Sequence, residues 1–98
     1  MSTAFAHVAY TEKEKVPSLV FPLGEVLDSA EEIKKRSNDI NQAMDAGNIA
    51  QFKVLIFFED DKEIREVETT IWDRDKNYVY LKNSIAIPVN RIHKIKFN

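Results

Sequence analysis

After Asn48 the apolar period of this chain changes from 3.6 residues to 2, and it stays at 2 to the end. A parallel pair of strands needs a crossover of a dozen or more residues, usually a helix, and no later segment reads as one. The second half must therefore be an antiparallel meander, which curls on itself into a small barrel. The pattern predicts strands over roughly 51–59, 62–72, 77–82, 85–88 and 92–97. Asp60-Asp61, Asp73 to Asn77, and Asn83-Ser84 separate them as turns.

One helix precedes the strands. Ser29-Ala30-Glu31-Glu32 is a capping box in which Ser29 accepts from a backbone amide and Glu32 reaches back. Gly47 marks the expected stop, since glycine ends helices cheaply in the left-handed conformation. Ile33, Ile40 and Met44, with Ala43 beside them, make a thin apolar stripe suited to lying on a barrel. Before the helix, "AFAHVAYTEKEKVPSLVFPLGEVL" is too apolar for a simple disordered tail. Its Phe5, Val8, Tyr10, Leu19, Val20, Phe21 and Leu23 could dock on the barrel, add a strand to a sheet edge, or reach a neighbouring subunit. Docking in the same chain is the favoured reading. Pro17 and Pro22 argue against helix there.

Pairing follows from character. A five-residue loop at Asp73 to Asn77 sets Trp72 opposite Tyr78, Ile71 opposite Val79 and Thr70 opposite Tyr80. One face then carries Val67, Thr69, Ile71, Val79 and Leu81; the other carries Trp72, Tyr78, Tyr80 and Lys82. A three-residue "KNS" connection sets Leu81 opposite Ile85 and Val79 opposite Ile87, inside. The first hairpin is less regular, because a two-residue turn at Asp60-Asp61 pairs Phe57 with Ile64 and Val54 with Val67 on opposite faces. Either a bulge near Arg65-Glu66 shifts the phase or the strands are bent and apolar on both sides, and bending is favoured. Leu55, Phe57 and Ile64 then form an outer patch that the helix or the N-terminal segment would cover.

The whole is expected to be mainly β, of the α+β kind: an arm over residues 1–27, then a single domain over 28–98. That domain is a helix and a five-stranded, antiparallel, strongly bent small β-barrel. At 98 residues the chain buries only about two-thirds of its unfolded surface, enough for one modest core.

Chemistry is sparse. The chain has no cysteine, two glycines and two histidines. Thiolate metal sites, disulfides and glycine-rich phosphate loops are thereby excluded. "EDDKE" at 59–63 lacks the spaced oxygens of a calcium loop and reads as a polar hairpin tip. His93 alternates with Ile95 and Phe97 and reads as a half-buried or rim residue. No serine or threonine sits in a nucleophile motif. No cofactor is expected, and no enzyme. The leading segment has no basic start followed by an apolar run, and no stretch approaches a membrane span, so the expected setting is soluble and cytoplasmic. Charge is uneven: residues 73–98 carry six Lys/Arg against two Asp/Glu, on a chain of net charge −2. That quarter suits an anionic surface.

A helix followed by five short strands, with "IPVNRI" before the last, resembles the small barrels of the Sm-like and SH3-like type. There a single helical turn links strands four and five, and "PVNRI" looks like that turn. The ending "YVYLKN..IAIP.NRI..I" also resembles small bacterial proteins of similar length. Where RNA-binding Sm proteins carry glycines and an Arg-Gly pair, this chain has Asp75, Lys76, Asn90 and Arg91. The resemblance therefore implies the fold more than that RNA site. The expected function is a binding module using an aromatic and basic face formed by Trp72, Tyr78, Tyr80, Lys82, Arg91 and Lys94. A protein partner or self-association into a homo-oligomer is expected first, and single-stranded RNA or DNA is the alternative.

Overall fold

In the computed structural model, which describes residues 7–97, the capping pattern at Ser29 does what its residues dictate. The Ser29 hydroxyl accepts from the Glu32 amide at 3.1 Å and starts the helix α1, Ala30–Ala50. The helix does not stop at Gly47. It runs one turn further and closes on Gln51, whose φ of 53° supplies the left-handed cap. Gly47 is there for space instead: a Cβ on it would lie 2.6 Å from the Ile71 carbonyl oxygen and 2.8 Å from Thr70 Cγ2. The buried face is Arg36, Ile40, Ala43 and Gly47, so Ile33, at 38% exposure, leaves the stripe and an arginine replaces it.

Seven strands follow the chain: β1 (Ala9–Tyr10), β2 (Val54–Glu59), β3 (Ile64–Thr69), β4 (Ile71–Arg74), β5 (Tyr78–Leu81), β6 (Ala86–Pro88) and β7 (Ile92–Phe97). Among the described residues they form two sheets, ordered β1-β3-β2-β7 and β4-β5-β6, and not one closed five-stranded barrel. The stretch 62–72 breaks at Thr70, with one half in each sheet. The first sheet is mixed, because β1 runs parallel to β3 with Ala9 opposite Arg65. A 3-10 turn over Val89–Arg91 joins β6 to β7.

The first hairpin resolves without a doubly apolar strand. Its loop is four residues, so Val54 faces Thr69, Ile56 faces Val67 and Phe58 faces Arg65. Val54, Ile56 and Phe58 are fully buried, while Leu55 and Phe57 stand on the outer face. There Leu55 pairs with Glu68 and Lys96, and Phe57 with Glu66 and Lys94. The Lys94 ammonium lies 5.2 Å from the Phe57 ring centre, so charged neighbours border the expected outer patch. Asp60 is more than a polar tip. It is 3% exposed, accepts from the Lys62 and Glu63 amides, and pairs with Arg65 Nε at 3.0 Å.

The second hairpin is also re-registered. Ile71 faces Leu81, Asp73 faces Tyr80 and Arg74 faces Val79, with Trp72 bulged between. Asp75 makes the shorter turn, its carboxylate accepting from the amides of Asn77 and Tyr78 at 2.8 Å each. The pairing of Val79 with Ile87 is as the pattern requires.

The arm enters the core. Val16, in a 3-10 turn over Lys13–Ser18, is 1% exposed, and Leu19 and Phe21 pack against the buried cluster. The Phe21 ring centre is 6.0 Å from that of Phe58, an inward-facing residue. Among the arm's described residues, Val16, Leu19 and Phe21 thus dock on the inside of the fold; Phe5 lies outside the described residues.

Two outcomes follow from this packing. Gly47→Ala gains about 1 kcal/mol of helix propensity but meets an immovable backbone carbonyl, which costs about 1–3 kcal/mol. We expect a lower urea midpoint at unchanged slope; a raised midpoint would contradict the close approach. A chain beginning at Asp28 forfeits the burial of Val16, Leu19 and Phe21 and is expected to lose on the order of 4 kcal/mol. Equal stability of the truncated and whole chains in denaturant would refute the docking.

Candidate functional site

The arm's last residues form one wall of a cleft. Leu23 to Glu25 are held by three side chains from elsewhere in the fold. Asn90 Nδ2 donates to the Leu23 carbonyl, and Arg91 Nη1 donates to the Gly24 carbonyl at 2.7 Å. Arg36 makes a two-pronged pair with Glu25, at 2.6 and 2.8 Å, and its Nη1 also donates to the Ile92 carbonyl at 3.0 Å. The Val26 amide donates to the Asn90 carbonyl at 3.0 Å. Opposite this wall stand Tyr78 of β5 and Pro88 of β6, enclosing a cleft of about 660 Å³ with Phe21, Pro22 and Leu23. Leu23 is 94% exposed and Tyr78 42%.

The expected face is divided. Tyr78 and Tyr80 sit together with ring centres 6.3 Å apart, and the Tyr80 hydroxyl donates to Asp75 Oδ2 at 2.6 Å. That hydrogen bond draws the Asp75 carboxyl below its ordinary range and raises the Tyr80 phenol above its own. Trp72 and Lys82 line a different, smaller cleft. Arg91 is buried, with its Nε on the Glu59 carbonyl at 3.1 Å, and so belongs to the scaffold. Lys94 lies on the outer face of the first sheet over Phe57. His93 is the bulged residue of β7 and bonds Glu59 Oε1 at 2.8 Å. Among the described residues no three acidic, histidine or cysteine side chains converge as a metal site would need. No described helix is long and apolar enough to cross a membrane.

Sequence reasoning missed Leu23 and Pro88 as cleft residues, and Arg36 and Glu25 as the clamp. Eleven positions separate that pair, with no local signature. Leu23-Gly24 beside a proline was the one hint of an exposed apolar turn.

No protein-family model, curated protein or solved structure matches this chain.

The clamp carries a pH dependence. Burial pushes the Glu25 carboxyl up, but the Arg36 hydrogen bonds and the Leu27 amide pull it further down, to a net position below 4.5. A carboxyl lowered by folding stabilises the fold above its unfolded value, and that stabilisation is lost as pH falls through the folded value. Glu25→Gln is expected to cost about 1–3 kcal/mol near neutral pH, a charged hydrogen bond's usual worth. The gap between wild type and variant in urea should close as pH falls below 4.5 and through the lowered Glu25 value. Asp60 and Asp75, also lowered, are present in both chains and cancel. A gap independent of pH would show that the carboxylate's charge does not hold the arm.

Proposed function

We propose that this chain is a non-enzymatic protein-interaction module that takes an extended, apolar segment of a partner protein between the arm and β5–β6. The observation that carries the reading is the pairing of exposed Leu23 and Tyr78 across a cleft whose walls are already fixed by hydrogen bonds. Large apolar side chains left in water in a cluster mark contact surfaces, and tyrosine is a frequent anchor. Fixed walls lower the ordering cost of binding. Pro22, Tyr78 and Pro88 offer ring ridges of the sort that grip extended, proline-containing peptides. In its finer class we read the fold as an SH3-like or Sm-like small barrel with open sheet edges. Support comes from the β3-β2-β7 and β4-β5-β6 orders and the 3-10 turn ahead of the last strand. A bacterial, cytoplasmic setting is proposed on the resemblance of the chain's ending alone.

Selection from a displayed peptide library is expected to return extended sequences rich in proline and aliphatic residues. Tyr78→Ala should weaken them by about 2 kcal/mol, roughly thirtyfold, while Trp72→Ala changes little. Peptides that bind the Tyr78 variant as tightly as wild type would sink the proposal. Sedimentation over a range of concentrations tests the self-assembly form: a dimer mass returned to monomer by Leu23→Asp would identify a second copy as the occupant.

A further inference from the structure

The smaller cleft, about 180 Å³, gathers Lys13, Lys53 and Lys82 around Trp72 from four separate parts of the chain. Lys13 opens the 3-10 turn that Val16 anchors in the core, and the Thr11 amide just before it donates to the Glu66 carbonyl at 2.8 Å. Lys53 follows the helix cap at Gln51, whose carbonyl accepts from the Thr70 hydroxyl at 3.3 Å. Trp72 is the bulged residue of β4, and bulges re-aim side chains. Lys82 follows β5 and begins a turn in which Asn83 and Ser84 have φ of 67° and 63°. With Gln51, these are the three described non-glycine residues at positive φ; Gln51 lines the cleft, and the other two directly follow Lys82, which also lines it.

The chemistry is specific in its combination. Glu68 is the carboxylate that lines the cleft, set against three ammonium groups. Lys13 pairs with exposed Glu14 at 3.3 Å, and Lys53 and Lys82 are in no ion pair among the described residues. The Trp72 indole remains 37% exposed. An acidic peptide would answer the lysines but leave the indole without a partner. A nucleotide unit answers both, since every base has a π-face and every phosphate a charge. We propose that this cleft binds one unit of nucleotide, its base stacked on Trp72 and its phosphate among Lys13, Lys53 and Lys82. The site is separate from the arm cleft, and either can fail without the other.

Trp72 is the chain's single tryptophan, so its fluorescence reports on this cleft alone. The probes are oligo(dT) of about eight nucleotides, uridine monophosphate, inorganic phosphate and polyglutamate, each at about 50 and about 200 mM salt. Saturable quenching by oligo(dT) is expected, weakening with salt. In Lys53→Ala/Lys82→Ala, affinity should fall at least about tenfold, and the slope of log affinity against log salt should flatten by about 0.7 for each lysine removed. Tyr78→Ala should leave the quenching unchanged. Quenching by uridine monophosphate as strong as by the oligonucleotide assigns a free nucleotide as ligand; much weaker quenching assigns a strand. Either supports the site. Absence of quenching by both nucleotide probes at low salt, equal quenching by polyglutamate or inorganic phosphate, or indifference to the lysine substitutions would overturn it.

Discussion

The Arg36 guanidinium binds three parts of this molecule to one another. It sits on the buried face of α1, reaches the carbonyl of Ile92 where β7 begins, and closes on both oxygens of Glu25 in the arm. A guanidinium this deep, 5% exposed, is tolerable only with its partners in place, because an uncompensated buried charge costs about 3–5 kcal/mol. The fold therefore requires the arm's carboxylate at that point. Its Nε finds no partner, so the Glu25 and Ile92 bonds carry the whole compensation. Once Glu25 is fixed, the path of the arm from Phe21 to Glu25 has little freedom, and the exposed side of that path becomes the wall of the larger cleft. A requirement of the interior thus shapes a surface.

A second causal chain starts at Gly47. Because it lacks a side chain, α1 can press on the backbone of Ile71 at the place where the long second strand leaves the first sheet. Thr69 and Thr70 are buried at this corner, and the Thr70 hydroxyl is used up on the Gln51 carbonyl. The strand resumes in the second sheet with its register shifted at Trp72. One close contact of helix and strand thus coincides with the break between the sheets and the outward turn of the single tryptophan.

What could be read from the residues was what local chemistry decides. Ser29 and Glu32 mark a helix start in any context, and the alternation of Val79, Leu81, Ile85 and Ile87 leaves one sensible pairing. The misreadings share a cause, a residue whose role is set by something distant. Gly47 resembled a helix terminator because the carbonyl above it belongs to a residue twenty-four positions later. Asp60 and Asp75 resembled generic turn formers, while their carboxylates bind particular amides and thereby set loop lengths. The basic C-terminal quarter resembled one surface, and folding scatters it. Arg91 turns inward to backbone carbonyls, Lys94 crosses the outer sheet face, and Lys82 joins two lysines from the acidic part of the chain.

The fold uses register shifts twice, and comparing them separates scaffold from surface. In β7 the shift falls at His93, whose ring is half-buried and returned to Glu59, so that bulge is satisfied inside the molecule. In β4 the shift falls at Trp72, and there the largest side chain in the chain stays 37% exposed beside lysines. Burying a large aromatic is among the strongest stabilising contributions a small domain has, on the order of 2–3 kcal/mol. A chain of this size, with a core of short aliphatic side chains and one phenylalanine, leaves that contribution partly unused. Internal packing accounts for the first bulge. At the second, the shift leaves the indole at the surface beside lysines, where the interior does not enclose it.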